Sequence, residues 1–198
     1  MKKEKTLDTQ LVDRAIRFAT QAHEGIVRKG TDLPYIVHPL EAMTIVATIT
    51  SDQELMAAAL LHDVVEDAGV TIDEIRREFG PRVARLVDAE TDREVEGLSH
   101  AESWQQRKQA TIDRLAAESR DAQIVALGDK LSNIRAMARH LRQQGDALWQ
   151  RFNEKAPARH AWYYRQLAVS LSPLSDTDAY REFTELVEQV FEQSASNC

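Results

Sequence analysis

The chain has 198 residues, 25 Lys+Arg against 32 Asp+Glu, a formal net charge of −7 and 43% hydrophobic residues, a balance that lets one domain bury most of its surface without a disulfide or a structural metal. Its longest aliphatic run, Met56-Ala-Ala-Ala-Leu-Leu61, falls far short of the ~20 apolar residues a membrane span needs. The charged N-terminus leads into no apolar signal core, so a cytoplasmic protein with no membrane partner is expected. The acidic balance, with a pI near 5.4, argues against a broad nucleic-acid surface, which needs many Lys and Arg against phosphate. The one cysteine, Cys198, excludes an internal disulfide and a Cys-rich zinc site and argues against a thiol nucleophile.

Along the chain, apolar residues recur at the three-and-four spacing of helices facing a core, and the alternation of strands is nearly absent. A first helix is expected over about 9–23, with Leu11, Ala15, Phe18 and Ala22 on one stripe, followed by a loop over 25–34. Helices over about 38–49 and 52–67 come next, the second opened by Ser51 and Glu54 in a capping-box pattern and stopped by Gly69. Thr71 and Glu74 repeat the capping box for a short helix that Gly80 ends, and Pro81 suits the first turn of a helix over about 81–90. Longer helices over about 100–118 and 121–141 follow, then 157–171 and 175–193, the last capped by Ser175 and Asp178. With no repeat, linker or low-complexity segment, residues 1–198 read as a single all-α domain.

One stretch breaks the local rules. Leu60-Leu-His-Asp-Val-Val-Glu-Asp67 puts three carboxylates on the last turn of the expected 52–67 helix, where the macrodipole disfavours anions by ~0.3–1 kcal/mol each. On a continuous helix His62 lies one turn from Glu66 and Asp63 one turn from Asp67, making two polar rows that open from an apolar stripe onto a crevice. A lone His62 would read as a core histidine bonded to a carbonyl. In this company it reads as a metal ligand, because a cation relieves the mutual repulsion of the acids. Two other segments could complete such a site. His38 stands before Pro39, which favours a helix start, and Asp129 is embedded in the apolar run Ile124-Val-Ala-Leu-Gly-Asp-Lys-Leu-Ser-Asn-Ile134. An ion pair of Asp129 with Lys130 or a nearby Arg is the alternative, weakened for Lys130 because adjacent helix residues do not face each other.

His38, then His62-Asp63 after 24 residues, then Asp129 after a further 66 resembles the H…HD…D signature of HD-domain metal-dependent phosphohydrolases. With Tyr35-Ile-Val-His38-Pro39, Leu61-His-Asp-Val-Val-Glu-Asp67 and Asp129-Lys-Leu-Ser-Asn133, the chain is similar to the hydrolase domain of the RelA/SpoT alarmone enzymes and to the small alarmone hydrolases, over roughly 11–171. The resemblance implies one Mn²⁺ per chain on His38, His62, Asp63 and Asp129, with Glu66 and Asp67 as the catalytic pair near the attacking water. It implies substrate contacts from Arg28, Lys29, Tyr35 and Asn133, and from Lys108 in the basic pair Arg107-Lys108. Glu90-Thr-Asp92 resembles the family's Val-Thr-Asp segment. The chain departs from the family in the loop Gly30-Thr-Asp-Leu33, in Gly128 where Ala is usual, and in Ser132 where a larger side chain is usual.

Taken alone, Arg28-Lys29 would be a solvated loop charge and Trp162-Tyr-Tyr164 core packing; His23, His100, His140 and His160 are expected to be surface or core residues without a catalytic role. Two nitrogens and two carboxylates suit a six-coordinate divalent ion, which favours Mn²⁺ over Zn²⁺. The resemblance implies hydrolysis of the 3′-pyrophosphate of (p)ppGpp, a small guanine nucleotide, to GDP or GTP and pyrophosphate. Two rivals stay open: a phosphatase for a deoxynucleoside monophosphate or the 2′-phosphate of NADPH, and a catalytically silent nucleotide-binding regulator. Self-association to a homo-oligomer is also left open.

Overall fold

Helix α8 (Arg120–Gln144) is the spine of the computed structural model, which describes residues 9–91 and 102–195. Its run from Ala122 to Gly128 is buried almost without interruption, because neighbours pack it on several sides: α2 (Val37–Ile49), α3 (Gln53–Leu61) and α10 (Asp178–Ala195). Helix α1 (Gln10–Ala22) lies on α3 through Ala15 and Ala19. A short α4 (Val64–Ala68) leads to α5 (Ile72–Phe79) and α6 (Pro81–Glu90), which pack on each other and close one side against α3. On the other side α7 (Trp104–Ala117) packs on α9 (Pro157–Ser170), and a 3-10 turn (Gly145–Arg151) folds back on α8. Among the described residues there is no strand, only an isolated antiparallel bridge between Val27 and Pro34, so the fold is all-α. No described helix is long and apolar enough to cross a membrane.

Several expected boundaries hold. Thr71 and Glu74 form the reciprocal capping box, Gly69 ends α4 in the left-handed region at φ 68°, and Pro81 opens α6. Others shift. Asp52, not Ser51, caps α3, its carboxylate accepting from the Glu54 N–H. At α10 it is the Thr177 hydroxyl, not Ser175, that accepts from a first-turn amide, that of Tyr180. The expected helix start at His100 lies outside the described residues, as do Asp92 and Cys198.

The larger correction is that the 52–67 helix is not continuous. It breaks at His62-Asp63, so Asp63 becomes the residue before α4, and Glu66 and Asp67 fall in the first turn of α4. The acids thereby leave the negative end of the long helix dipole. The break also turns Asp63 back beside His62 instead of one row over. Helices α2 and α8 approach closely at Gly128, where an added Cβ would lie 2.8 Å from the Ala42 carbonyl oxygen and 2.9 Å from Val46 Cγ2. That approach brings His38, in the first turn of α2, onto Asp129.

Candidate metal centre

His38 and His62 are almost fully buried and project Nε2 toward one point. Asp129 Oδ1 is 3.1 Å from His38 Nε2 and 3.6 Å from His62 Nε2, while Asp63 Oδ2 is 2.9 Å from His62 Nε2 and 3.5 Å from His38 Nε2. One ligand atom each from His38, His62 and Asp129 lie within 4.8 Å of one another, as a shared ion requires. The far side of each imidazole fixes its tautomer. His62 Nδ1 is 2.8 Å from the Ala59 carbonyl, which can only accept, so Nδ1 carries the proton. His38 Nδ1 is 2.8 Å from Ser132 Oγ, which itself donates to Glu41 Oε2 at 2.9 Å, so this Nδ1 is protonated too. Each Nε2 therefore faces the carboxylates, the atom whose lone pair a cation would take in place of a proton, and buried His62 Nε2 has no well-aligned hydrogen-bond partner among the described residues.

This donor set fits a divalent ion, two neutral imidazoles and two carboxylates being the ligand types such ions take. The electrostatics agree. Burial opposes a charged His62, yet Asp63 and Asp129 outweigh it and hold its pKa well above the ordinary value, a measure of the negative potential gathered there. Burial also pushes up the carboxyl of Asp67, and Asp63 adds to the effect.

Asp129 is held from behind. Its Oδ2 accepts from Lys130 Nζ at 2.5 Å, and Lys130 reaches on to buried Glu90 at 3.5 Å. The Lys130 pairing that helix geometry argues against therefore exists: the lysine stem is long enough to curl back over its own neighbour. Asn133 Nδ2 donates to Asp129 Oδ1, and Asn133 Oδ1 accepts from Arg28 Nη2 at 2.9 Å. Arg28 thus sits two hydrogen bonds from Asp129, its guanidinium 5.5 Å from the centre of the Tyr35 ring. The Tyr35 hydroxyl donates to Asp63 Oδ2 at 2.7 Å, and burial with the Asp63 and Asp67 charges keeps the phenol protonated.

Ser132 and Glu41 apart, these side chains line one cavity of about 470 Å³, with Glu66 and Asp67 exposed to solvent and Lys29 and Lys108 on its walls. The loop 25–34 is a tight hairpin: Arg28 N–H donates to the Leu33 carbonyl and Tyr35 N–H to that of Ile26. It presents both Arg28 and Lys29 to the cavity, with Lys29 at the exposed rim, where its Nζ donates to Asn153 Oδ1 at 2.9 Å. Lys108 lies over the Tyr163 ring at 5.2 Å. Its neighbour Arg107 is different: buried, bonded to Ser103 Oγ, and absent from the cavity wall. Tyr163 and Tyr164 are core residues, as expected, that also face the cavity, as do His140 and His160. Sequence reasoning named Ser132 and Glu90 without these roles and missed Glu41 and Arg151. A signal existed for Ser132, which lies three residues from Asp129 and so on the same face of α8.

The HD domain family matches this chain over residues 15–157. A probable GTP pyrophosphokinase of Mycobacterium leprae is 41% identical over 131 residues, 64% of this chain and 16% of that protein. The human guanosine-3′,5′-bis(diphosphate) 3′-pyrophosphohydrolase MESH1 is 39% identical over 134 residues, 66% of this chain and 70% of that protein. The chain therefore spans under a fifth of the first of these relatives and most of the second. A solved structure of a metazoan SpoT orthologue that hydrolyses ppGpp superposes with a TM-score of 0.71 over 96% of this chain and 98% of that one, at 24% identity, a likeness of fold.

Proposed function

The chain belongs to the HD domain family, and from that premise we propose that it is a metal-dependent pyrophosphohydrolase that cleaves the 3′-diphosphate from (p)ppGpp. The reading rests on one observation: two imidazoles, each held at Nδ1, turn Nε2 toward two carboxylates in a cavity whose walls carry Arg28, Lys29 and Lys108. The human relative that shares 39% identity is named for this reaction. A substrate with diphosphates on both sides of its sugar carries charge that an acidic protein would repel without such a local basic lining.

His38, His62, Asp63 and Asp129 would hold one ion. Two nitrogens, two carboxylates and water suit six-coordinate Mn²⁺ better than Zn²⁺, which prefers four ligands. An ion held there supplies Lewis-acid polarisation of a phosphoryl oxygen and a more acidic water. Hydrolysis joins the water oxygen to the phosphorus nearest the sugar and breaks its bond to O3′. The 3′ oxygen receives a proton, leaving GDP or GTP and pyrophosphate. Glu66 and Asp67 line the cavity at its solvent side and take the proton from the water, burial and the Asp63 charge raising the pKa of Asp67 toward that role. Tyr35 holds Asp63 in place, and Asn133 ties Arg28 to Asp129 so that the guanidinium faces the nucleotide.

Product chromatography with and without Mn²⁺ tests this. Pyrophosphate and GDP should appear from ppGpp only with metal, and Glu66→Gln or Asp67→Asn should lower kcat by about 10²–10⁴-fold at unchanged metal content. Orthophosphate alone, or turnover of NADPH or a deoxynucleotide without ppGpp turnover, would replace this reading by that of another phosphatase. Nucleotide binding without any turnover would make the chain a regulator.

A further inference from the structure

The cavity has a second cationic end. Arg151 closes the 3-10 turn after α8, and its side chain lies against the hairpin loop at Gly30, where an added Cβ would stand 2.9 Å from Arg151 Cδ. Gly30 also has φ +72°, so the loop needs glycine there both for its turn and for this approach. The Phe152 ring covers one face of the guanidinium at 5.1 Å from the ring centre. Its edge is another matter: Nε and Nη1 are buried and have no hydrogen-bond partner among the described residues. The charged neighbour it feels is Arg28, and burial and that like charge hold the Arg151 pKa below its ordinary value. His140, in the same cavity, also feels both arginines.

Buried guanidinium nitrogens left unpaired near a like charge are unfavourable unless an anion arrives to accept from them. The place is informative. His140 follows Asp129 by 11 residues on α8, about 16 Å along the axis, and Arg28 bridges the interval through Asn133. We propose that Arg151, together with Arg28, binds the 5′-phosphate group of the nucleotide, the end opposite the one presented to His62 and Asp63, and so selects nucleotides phosphorylated at both ends. This rests on the nucleotide reading above but not on turnover.

Calorimetry on the full chain, in chelator, compares GDP with guanosine, which lacks the 5′-diphosphate. Wild type should prefer GDP; Arg151→Gln should weaken GDP by about tenfold and leave guanosine unchanged, with Arg151→Lys between. With Mn²⁺ present, Arg151→Gln should raise KM for ppGpp by about tenfold with kcat altered less than about twofold. Wild-type binding of GDP no tighter than guanosine overturns the assignment, as does GDP binding by Arg151→Gln equal to wild type. Equal weakening of both ligands also overturns it, since a purely structural role would give that together with a lower melting midpoint. Absence of ppGpp turnover in wild type, with the GDP pattern intact, would instead refute the proposed reaction and leave Arg151 as a phosphate-binding residue.

Discussion

Two hydrogen bonds that never touch the shared point decide what His38 and His62 can do. Ala59 and the Ser132–Glu41 pair each accept a hydrogen bond from an Nδ1, so each ring turns Nε2 to the shared point, where a cation would take its lone pair. For His62 the acceptor is a backbone carbonyl that no substitution removes; for His38 it is one hydroxyl. Ser132→Ala should therefore weaken Mn²⁺ binding by about 10–100-fold while leaving the apo protein folded, as metal titration beside circular dichroism would measure. Unchanged affinity would mean that packing alone orients His38. That His38, His62, Asp63 and Asp129 gather was readable from the sequence because a His-Asp pair on an apolar stripe is costly without a use. The supporting residues were less readable. Ser132 looks like a small filler until the neighbouring helix places Glu41 behind it, and Lys130 looked wrongly placed because adjacency on a helix says nothing about where a four-carbon stem can reach.

Helix types and most boundaries could be read from periodicity and from Gly, Pro and capping residues, since these signals are local. The break at His62-Asp63 carries no such signal, there being neither Gly nor Pro in Leu60-Leu-His-Asp-Val-Val. It goes with local bonds of His62 to Ala59 and Asp63 to His62 and with one tertiary contact, the Tyr35 hydroxyl on Asp63. The α2–α8 approach is likewise a tertiary fact, visible in the sequence only as Gly128 in an otherwise unbroken helix. Alanine there gains about 1 kcal/mol in helix propensity, but its Cβ would meet the Ala42 carbonyl at 2.8 Å, a backbone atom that cannot rotate aside. Overpacking of this kind costs typically ~1–3 kcal/mol, so Gly128→Ala should be neutral to destabilising by about 2 kcal/mol. It should also weaken metal binding, because α2 can retreat only by carrying His38 away from Asp129. Chemical denaturation paired with metal titration checks both; a stabilised variant with unchanged affinity would show that the helices separate without moving the site.

At the scale of the whole molecule, one arginine ties three helices together away from the cavity. Arg82 on α6 donates to Asp52 and Glu54 at the start of α3 and to Asp121 at the start of α8, at 2.7, 2.7 and 2.8 Å. The groups are about a third to a half exposed, so each pair is worth no more than about 1 kcal/mol; their value lies in fixing α8, the spine, relative to α3 and α6. For Asp52, burial acts to raise the pKa, but the Arg82 hydrogen bond and the Glu54 N–H prevail and hold it below the ordinary 3.8. A depressed carboxyl pKa stabilises the fold above the unfolded value and loses that contribution as pH falls through the folded one. The Arg82 node should accordingly contribute fully at neutral pH and fade below about pH 4. Arg82→Ala should lower the thermal midpoint at pH 7 by a few degrees, about 2–4 °C per kcal/mol lost for a chain of this size. The gap to wild type should then narrow as pH is lowered to 3. A gap that stays constant across that range would mean that Arg82 contributes through packing of its stem and not through its carboxylates.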